Sequence, residues 1–285
     1  MRALILIAAM MTAGVAFAQT PPDDPNSPSH AALLKVQPNI AGQRNGVFLE
    51  PEPRDFNDHA GFVQIFDGKT LAGWDGRPGV WRVEDGAIVG ESTREKNAGN
   101  SFLVYTPVKA KDFDLKLEIK VEKGGGSGVQ YRSSTGIPPG RTAGKGEPPL
   151  DRRWVMIGPQ ADFWLGLNAN SKQYSGQLYS QNTSRGIIAW RGQVVQTLPG
   201  QPPRLLGAIG DRKVLGGVVK EGEWNEFTIV ARGGVIMHLL NGQLMAVLVD
   251  DDPASSNNVS GLIGLQIEGA PCKVSFRNLW LKKID

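Results

Sequence analysis

Cysteine is nearly absent. Cys272 stands alone among 285 residues, so no intrachain disulfide can close and no cysteine-rich metal site can form. Histidine is almost as scarce, with His30, His59 and His238, and neither an HExxH helix nor paired His/Cys zinc spacing occurs. Charge of one sign is lacking too: 31 Lys and Arg against 28 Asp and Glu leave a formal +3. No long basic run with interleaved aromatics appears, which excludes a nucleic-acid partner. Beyond the first residues no apolar run approaches the roughly 20 that a membrane span requires. A Gly-x-Ser-x-Gly elbow is missing, and so is the Glu-x-Asp-x-Glu strand of many sandwich-fold glucanases; the nearest stretch, LEIKVE, lacks the aspartate. Conventional retaining glucanase chemistry, with two carboxylates flanking one bond, is therefore not supported.

What is present begins with MRALILIAAMMTAGVAFAQT, which has a basic Arg2, an apolar run from Ala3 to Phe17 and small residues at Ala16 and Ala18. That is the pattern of a secretory signal peptide, residues 1–18, cut after Ala18; an uncut N-terminal anchor is the other reading. The expected location is periplasmic or secreted, from a bacterium, with a core large enough to dispense with disulfides. Asn182 and Asn258 open N-x-S sequons, which bear only on a eukaryotic route. Residues 19–57, starting TPPDDPNSPSH, are rich in Pro, Asp, Asn and Ser and read as an arm or linker. A single β domain is expected over 58–285.

Within it, apolar and polar residues alternate with period two, and helical periodicity is nearly absent. Strands are expected at 101–105, 113–122, 128–133, 154–162, 175–180, 186–190, 224–232, 235–240, 243–249, 261–268 and 273–283, with Asp67-Gly68, Asp85-Gly86, Gly233-Gly234 and Asn241-Gly242 as turns. Many short strands at this spacing predict an all-β antiparallel sandwich or barrel. Two long Pro/Gly segments, GIPPGRTAGKGEPPLDRR and LPGQPPRLLGAIGDRKVLGG, read as binding loops or lids, or else as surface insertions. The glycines of GGGSGVQYRSS, residues 124–134, lack the Lys-Ser/Thr ending of a phosphate loop and read as a turn joining two antiparallel strands.

Residues two apart on a strand share a face. By that parity Gln130 pairs with Arg132, Gln160 with Asp162, and Gln266 with Glu268. If the three faces coincide they form a floor of amides, carboxylates and a guanidinium, with Tyr179, Trp190 and Trp164 as stacking platforms, which suits a carbohydrate. The plain alternative is a solvated sheet face. His238 reads either as a structural histidine or as a proton-transfer group. Asp250-Asp251-Asp252 reads either as a solvated acidic turn or as oxygen ligands for a hard cation.

The pieces GFVQIFDGKTLAGW, WRVEDGAIVG, FDLKLEIKVEKGGGSGVQYR, GPQADFWLG with YSGQLY and RGIIAWRGQ, WNEFTIVARGGVIMHLLNGQLMAVLVD and GLIGLQIEGAPCKVSFRNLWLKKI occur in that order over about residues 61–284. Together they resemble the 3-keto-disaccharide hydrolase domain family. The resemblance implies a concanavalin A-like jelly-roll, usually exported, with a sugar site on the concave face and cleavage of glycosides oxidised at C3. It places Gln130, Arg132, Gln160, Asp162, Tyr179, His238 and Glu268 where the family carries polar residues. Asp162 or Glu268 is then expected as base, Arg132 as enolate stabiliser or substrate orienter, and His238 or the other carboxylate at the leaving group; Trp190 and Gln266 are expected to bind substrate. Many relatives carry histidine where this chain has Glu268. No cofactor is called for; a divalent cation is left open without a ligand set, as is the oligomeric state. The competing expectations are a non-catalytic lectin-like carbohydrate-binding module and a structural or interaction domain attached through the Pro-rich arm.

Overall fold

Residues Phe113, Leu115, Leu117, Ile119 and Val121 of one strand are buried, while Glu118, Lys120 and Glu122 between them are turned outward. That period of two is what a strand with one apolar face requires, and its buried side chains each contribute roughly 1.5–3 kcal/mol by leaving water. The computed structural model describes residues 53–165, 174–255 and 257–284, without the side chain of Lys123. The expected signal peptide and most of the arm lie outside the described residues. The compact unit begins at Arg54, so residues 54–57 of the expected arm belong to it.

Two sheets face each other. The seven-stranded sheet runs β10 (Gly186–Ala189), β9 (Leu178–Gln181), β8 (Met156–Leu165), β7 (Gly125–Thr135), β16 (Gly261–Ile267), β5 (Ser101–Ala110) and β2 (Trp74–Gly76). The ten-stranded sheet runs β12 (Arg204–Ala208), β11 (Gln193–Thr197), β15 (Gln243–Asp250), β14 (Val235–Leu240), β13 (Asn225–Arg232), β6 (Phe113–Lys123), β17 (Cys272–Lys283), β4 (Ala87–Ser92) and β3 (Trp81–Glu84), with β1 (Val63–Gln64) also paired to β17. Pairing is antiparallel except between β11 and β15. The architecture is the expected all-β two-sheet sandwich. Between the sheets, the inward residues of β6 join Val129, Tyr131, Ala161, Phe163, Leu265 and Ile267 in one core.

The Asp85-Gly86, Gly233-Gly234 and Asn241-Gly242 turns close hairpins as expected; Asn241 and Gly242 both take positive φ, +49° and +78°, as such a turn demands. Two readings change. LPGQPPRLLGAIGDRKVLGG, expected as a loop, contains β12 and the five-residue helix α1 (Arg212–Gly216). The glycines after β6 do not close a hairpin: β6 pairs with β13 and β17, β7 with β8 and β16, so the chain crosses between sheets at Gly124. Gly125 to Gly128 lie inside β7.

Candidate active site

Those glycines leave room for the site. A Cβ on Gly126 would sit 2.4 Å from the Trp164 ring, and one on Gly128 would sit 2.7 Å from Gln160 Nε2. Bare backbone in the middle strand lets neighbouring side chains lie across it. While Val129, Phe163 and Ile267 point into the core, Gln130, Gln160, Asp162 and Gln266 project from the opposite face, bonded to one another in a continuous chain.

Gln130 Nε2 donates to Gln160 Oε1 at 2.8 Å. Gln160 Nε2 donates to Asp162 Oδ1 at 2.7 Å and to Gln266 Oε1 at 2.8 Å. Gln177 Nε2 donates to Asp162 Oδ2 at 2.6 Å, and Gln266 Nε2 to Asn100 Oδ1 at 3.1 Å and Glu268 Oε2 at 3.2 Å. The four glutamines are buried; Gln130, Gln160 and Gln266 donate in one direction along the row, so donor meets acceptor at each step, while Gln177 donates to Asp162 from its other side. Gln177 Oε1 is buried with no partner among the described residues.

Above this floor lies a pocket of about 450 Å³ lined by Asn100, Gln160, Asp162, Gln177, Glu268 and Arg141, with Trp164, Tyr174 and Tyr179 among its walls. Burial raises the Asp162 carboxyl to about 7, against the opposing pull of the Gln177 and Gln160 amides, and the charge of Glu268 raises it further. Glu268 is also raised by burial, but Arg141 draws it back. Tyr179 is raised by burial and by both carboxylates. Two acids of unequal environment thus share one cavity.

Strand parity located most of this floor. Gln160 with Asp162, Gln266 with Glu268, and Gln130 converge; Tyr179 and Trp164 line the pocket. Arg132 does not join them. The β7–β8 register slips between Gln130 and Ser134, and Arg132 takes φ +48°; an extra residue in a bulge breaks the parity on which the pairing relied. Its guanidinium is buried and donates to Lys111 O at 2.6 Å, Gly233 O at 2.9 Å, Asn257 O at 2.6 Å and Asp112 Oδ1 at 3.1 Å. His238 is likewise away from the pocket. Flanked on β14 by core residues Ile236 and Leu240, it meets the Tyr131 hydroxyl at 2.7 Å and Gln177 O at 3.2 Å, and burial lowers its pKa to about 4. Trp190 stands behind the wall, tilted on Tyr174 at 5.8 Å with the Arg212 guanidinium 4.1 Å from its ring. Asp250, Asp251 and Asp252 diverge onto Thr197, Gln196 and Arg185, the arrangement of an acidic turn.

Asn100, Arg141, Tyr174 and Gln177 were not foreseen. Arg141 lies on the first Pro/Gly segment, whose length marked it as a candidate binding loop; Asn100 and Tyr174 lie outside the strands, where no periodicity reports orientation, and Gln177, within the expected strand 175–180 and two residues before Tyr179, directly precedes β9.

The sequence profile of the 3-keto-alpha-glucoside-1,2-lyase-like domain matches residues 61–282. A 3-keto-disaccharide hydrolase from Bacteroides thetaiotaomicron is 41% identical over 81 residues, 26% of this chain. That alignment spans 28% of the relative's own length. Among solved structures, a candidate glycosyl hydrolase from Parabacteroides distasonis superposes with TM-score 0.48 at 22% identity, covering 78% of this chain and 99% of that one. A carbohydrate binding module from Bacillus subtilis gives 0.43 at 14%, covering 74% and 96%.

Proposed function

The chain belongs to the 3-keto-alpha-glucoside-1,2-lyase-like family, and from that premise we propose that it cleaves 3-keto-glycosides by eliminating the C1 substituent across C1–C2. The observation that carries the reading is the pair Asp162 and Glu268 in one pocket with unequal proton affinities. A C3 carbonyl acidifies the C2 proton. Glu268, the less enclosed of the two and facing Arg141, is the ionised group and takes that proton; the C2–H electron pair moves into a C2–C3 double bond and charge collects on O3. When the C3 carbonyl re-forms, a C1–C2 double bond forms and the C1–O bond breaks. Asp162, holding its proton up to about pH 7, delivers it to the departing oxygen. Water then adds, its oxygen to C1 and a proton to C2, completing a hydrolysis.

The side-chain amides of Gln160 and Gln177 hold Asp162 in one orientation. Trp164 and Tyr174 offer apolar surface to a pyranose ring. A lectin-like module would need the aromatics and amides but not a buried carboxyl titrating near neutrality.

Asp162→Asn and Glu268→Gln, assayed separately on a 3-keto-glycoside and its unoxidised parent, test the roles. Each is expected to lower kcat by about 10²–10⁴-fold, with release from the ketone alone in the parent protein. Activity should fall on the acid side as Glu268 gains a proton and on the alkaline side above about pH 7 as Asp162 loses one. Undiminished turnover in both variants sinks the assignment; binding of sugar without release favours the module.

A further inference from the structure

Negative charge gathers on O3 as C2 loses its proton, yet the floor offers neutral amides and two acids. The guanidinium expected there, Arg132, is fully engaged elsewhere. Among the described residues lining the pocket, Arg141 is the one cation.

Several contacts hold its loop over the cavity. Arg141 N donates to Pro138 O at 3.1 Å in a tight turn. Further along, Arg77 donates to Pro149 O at 2.7 Å and Trp154 Nε1 to Asp75 Oδ1 at 3.1 Å, fastening the returning limb to the seven-stranded sheet. Glu147 folds back to accept from Gly144 N at 2.9 Å and packs 3.4 Å from the position of a Cβ on Gly99, beside Asn100. The Arg141 guanidinium itself bonds to no described side chain, though its charge acts on both Glu268 and Tyr179. An exposed arginine is ordinarily a solvated one; this one faces a concave site with two acids in it.

We propose that Arg141 is a further catalytic residue, whose guanidinium donates hydrogen bonds to substrate O3 and stabilises the enolate formed when Glu268 takes the C2 proton. The proposal rests on the reaction given above. A guanidinium fits the task because it stays charged and presents several N–H groups in a fixed plane, and a donor that meets charge only as it develops acts on the barrier rather than on binding. Atom balance is unaffected: Arg141 keeps its protons, and the C2 proton still passes to Glu268.

Arg141→Gln and Arg141→Lys, compared with the parent protein on a 3-keto-glucoside, read this directly. The Gln variant should lose about 10²–10³-fold in kcat, as removal of an oxyanion donor does, with KM shifted only a few-fold. The Lys variant should fall between, and guanidinium chloride below denaturing concentrations should restore part of the Gln variant's rate without raising the parent's. Equal kcat in the Gln variant and the parent overturns the proposal. Should the parent release no sugar from the ketone, the reaction itself fails, and Arg141 is then judged by calorimetric titration with glucuronate, an anionic monosaccharide. Binding by the parent that weakens at least about tenfold in the Gln variant retains Arg141 as the anion-recognising group; equal binding, or none, removes it.

Discussion

At the residue scale, Asp162 projects from the pocket face of the seven-stranded sheet while His238 projects from the ten-stranded sheet into the core, and Gln177 joins them, its side-chain amide reaching one and its backbone carbonyl the other. Burial pushes their pKa values in opposite senses, to about 7 for Asp162 and about 4 for His238. Their effects on stability therefore oppose each other. A carboxyl raised from 3.8 favours the folded state below 3.8, and that contribution is lost as pH rises through about 7. A histidine lowered from 6.5 favours the folded state above 6.5, and that contribution is lost as pH falls through about 4. Between about pH 4 and 6.5 one gain offsets the other loss. Each amounts to roughly 3–4 kcal/mol at about 1.4 kcal/mol per pKa unit. Removing Asp162 isolates its share, because the histidine is common to both proteins: in denaturant titrations, the stability of Asp162→Asn minus that of the parent should climb by about 3–4 kcal/mol from pH 4 to pH 7. A difference that stays level across this range would show that Asp162 does not titrate as its burial implies.

At the scale of elements, legibility followed regularity. Where a strand alternates without interruption, as β8 and β16 do over their site-bearing residues, the sequence places side chains on the right face, and Gln160, Asp162, Gln266 and Glu268 follow from it. Parity fails at a bulge, because one extra residue reverses everything beyond it; Arg132 and Tyr131 follow Gln130 on either side of that reversal. The glycines of β7 misled for a related reason. Glycine is read as a turn because it tolerates positive φ, but here Gly126 and Gly128 are needed for the absence of a side chain beneath Trp164 and Gln160. Sheet membership was not legible either, since nothing local tells whether β6 turns back or crosses over. The bulge yields its own prediction. Arg132 ties β7 to Lys111, Gly233 and Asn257 and pairs with the part-exposed Asp112, so Arg132→Met should cost about 3 kcal/mol of stability, at the low end for a buried ion pair broken from one side. At a temperature where the variant remains folded, kcat/KM should stay within a few-fold of the parent. Melting and turnover measured together decide it: a variant that melts normally but loses turnover would return Arg132 to the site.

At the scale of the whole molecule, the described residues at the two ends of the domain meet on the outer side of the ten-stranded sheet, away from the pocket. Val63 and Gln64 pair with Leu281 and Trp280, His59 stacks on Trp280 at 4.1 Å between ring centres, and Lys282 Nζ donates to Ala60 O at 3.1 Å. Lys116, projecting from β6 beneath this crossing, is buried with its ammonium against the carbonyls of Asp55 at 2.8 Å, Phe56 at 3.0 Å and Asp58 at 2.5 Å. The Phe62 ring lies 4.9 Å from Nζ. A buried ammonium is tolerated only where its donors are all met, so those carbonyls fix residues 55–58 as firmly as a strand would. Asp114 adds a second tie, accepting from Arg54 and Arg232 at 2.8 Å each. Replacing Lys116 by Met keeps much of the apolar stem but leaves the carbonyls without a donor, a loss of about 1–3 kcal/mol. Because the affected segment lies on the sheet opposite the pocket, the effect should be regional. Hydrogen exchange over residues 54–64 and 279–284 should quicken in Lys116→Met while β7, β8 and β16 keep their protection, and kcat/KM should be unchanged. Faster exchange throughout both sheets would mean instead that Lys116 supports the sandwich as a whole, and that the joined ends are part of its cooperative core.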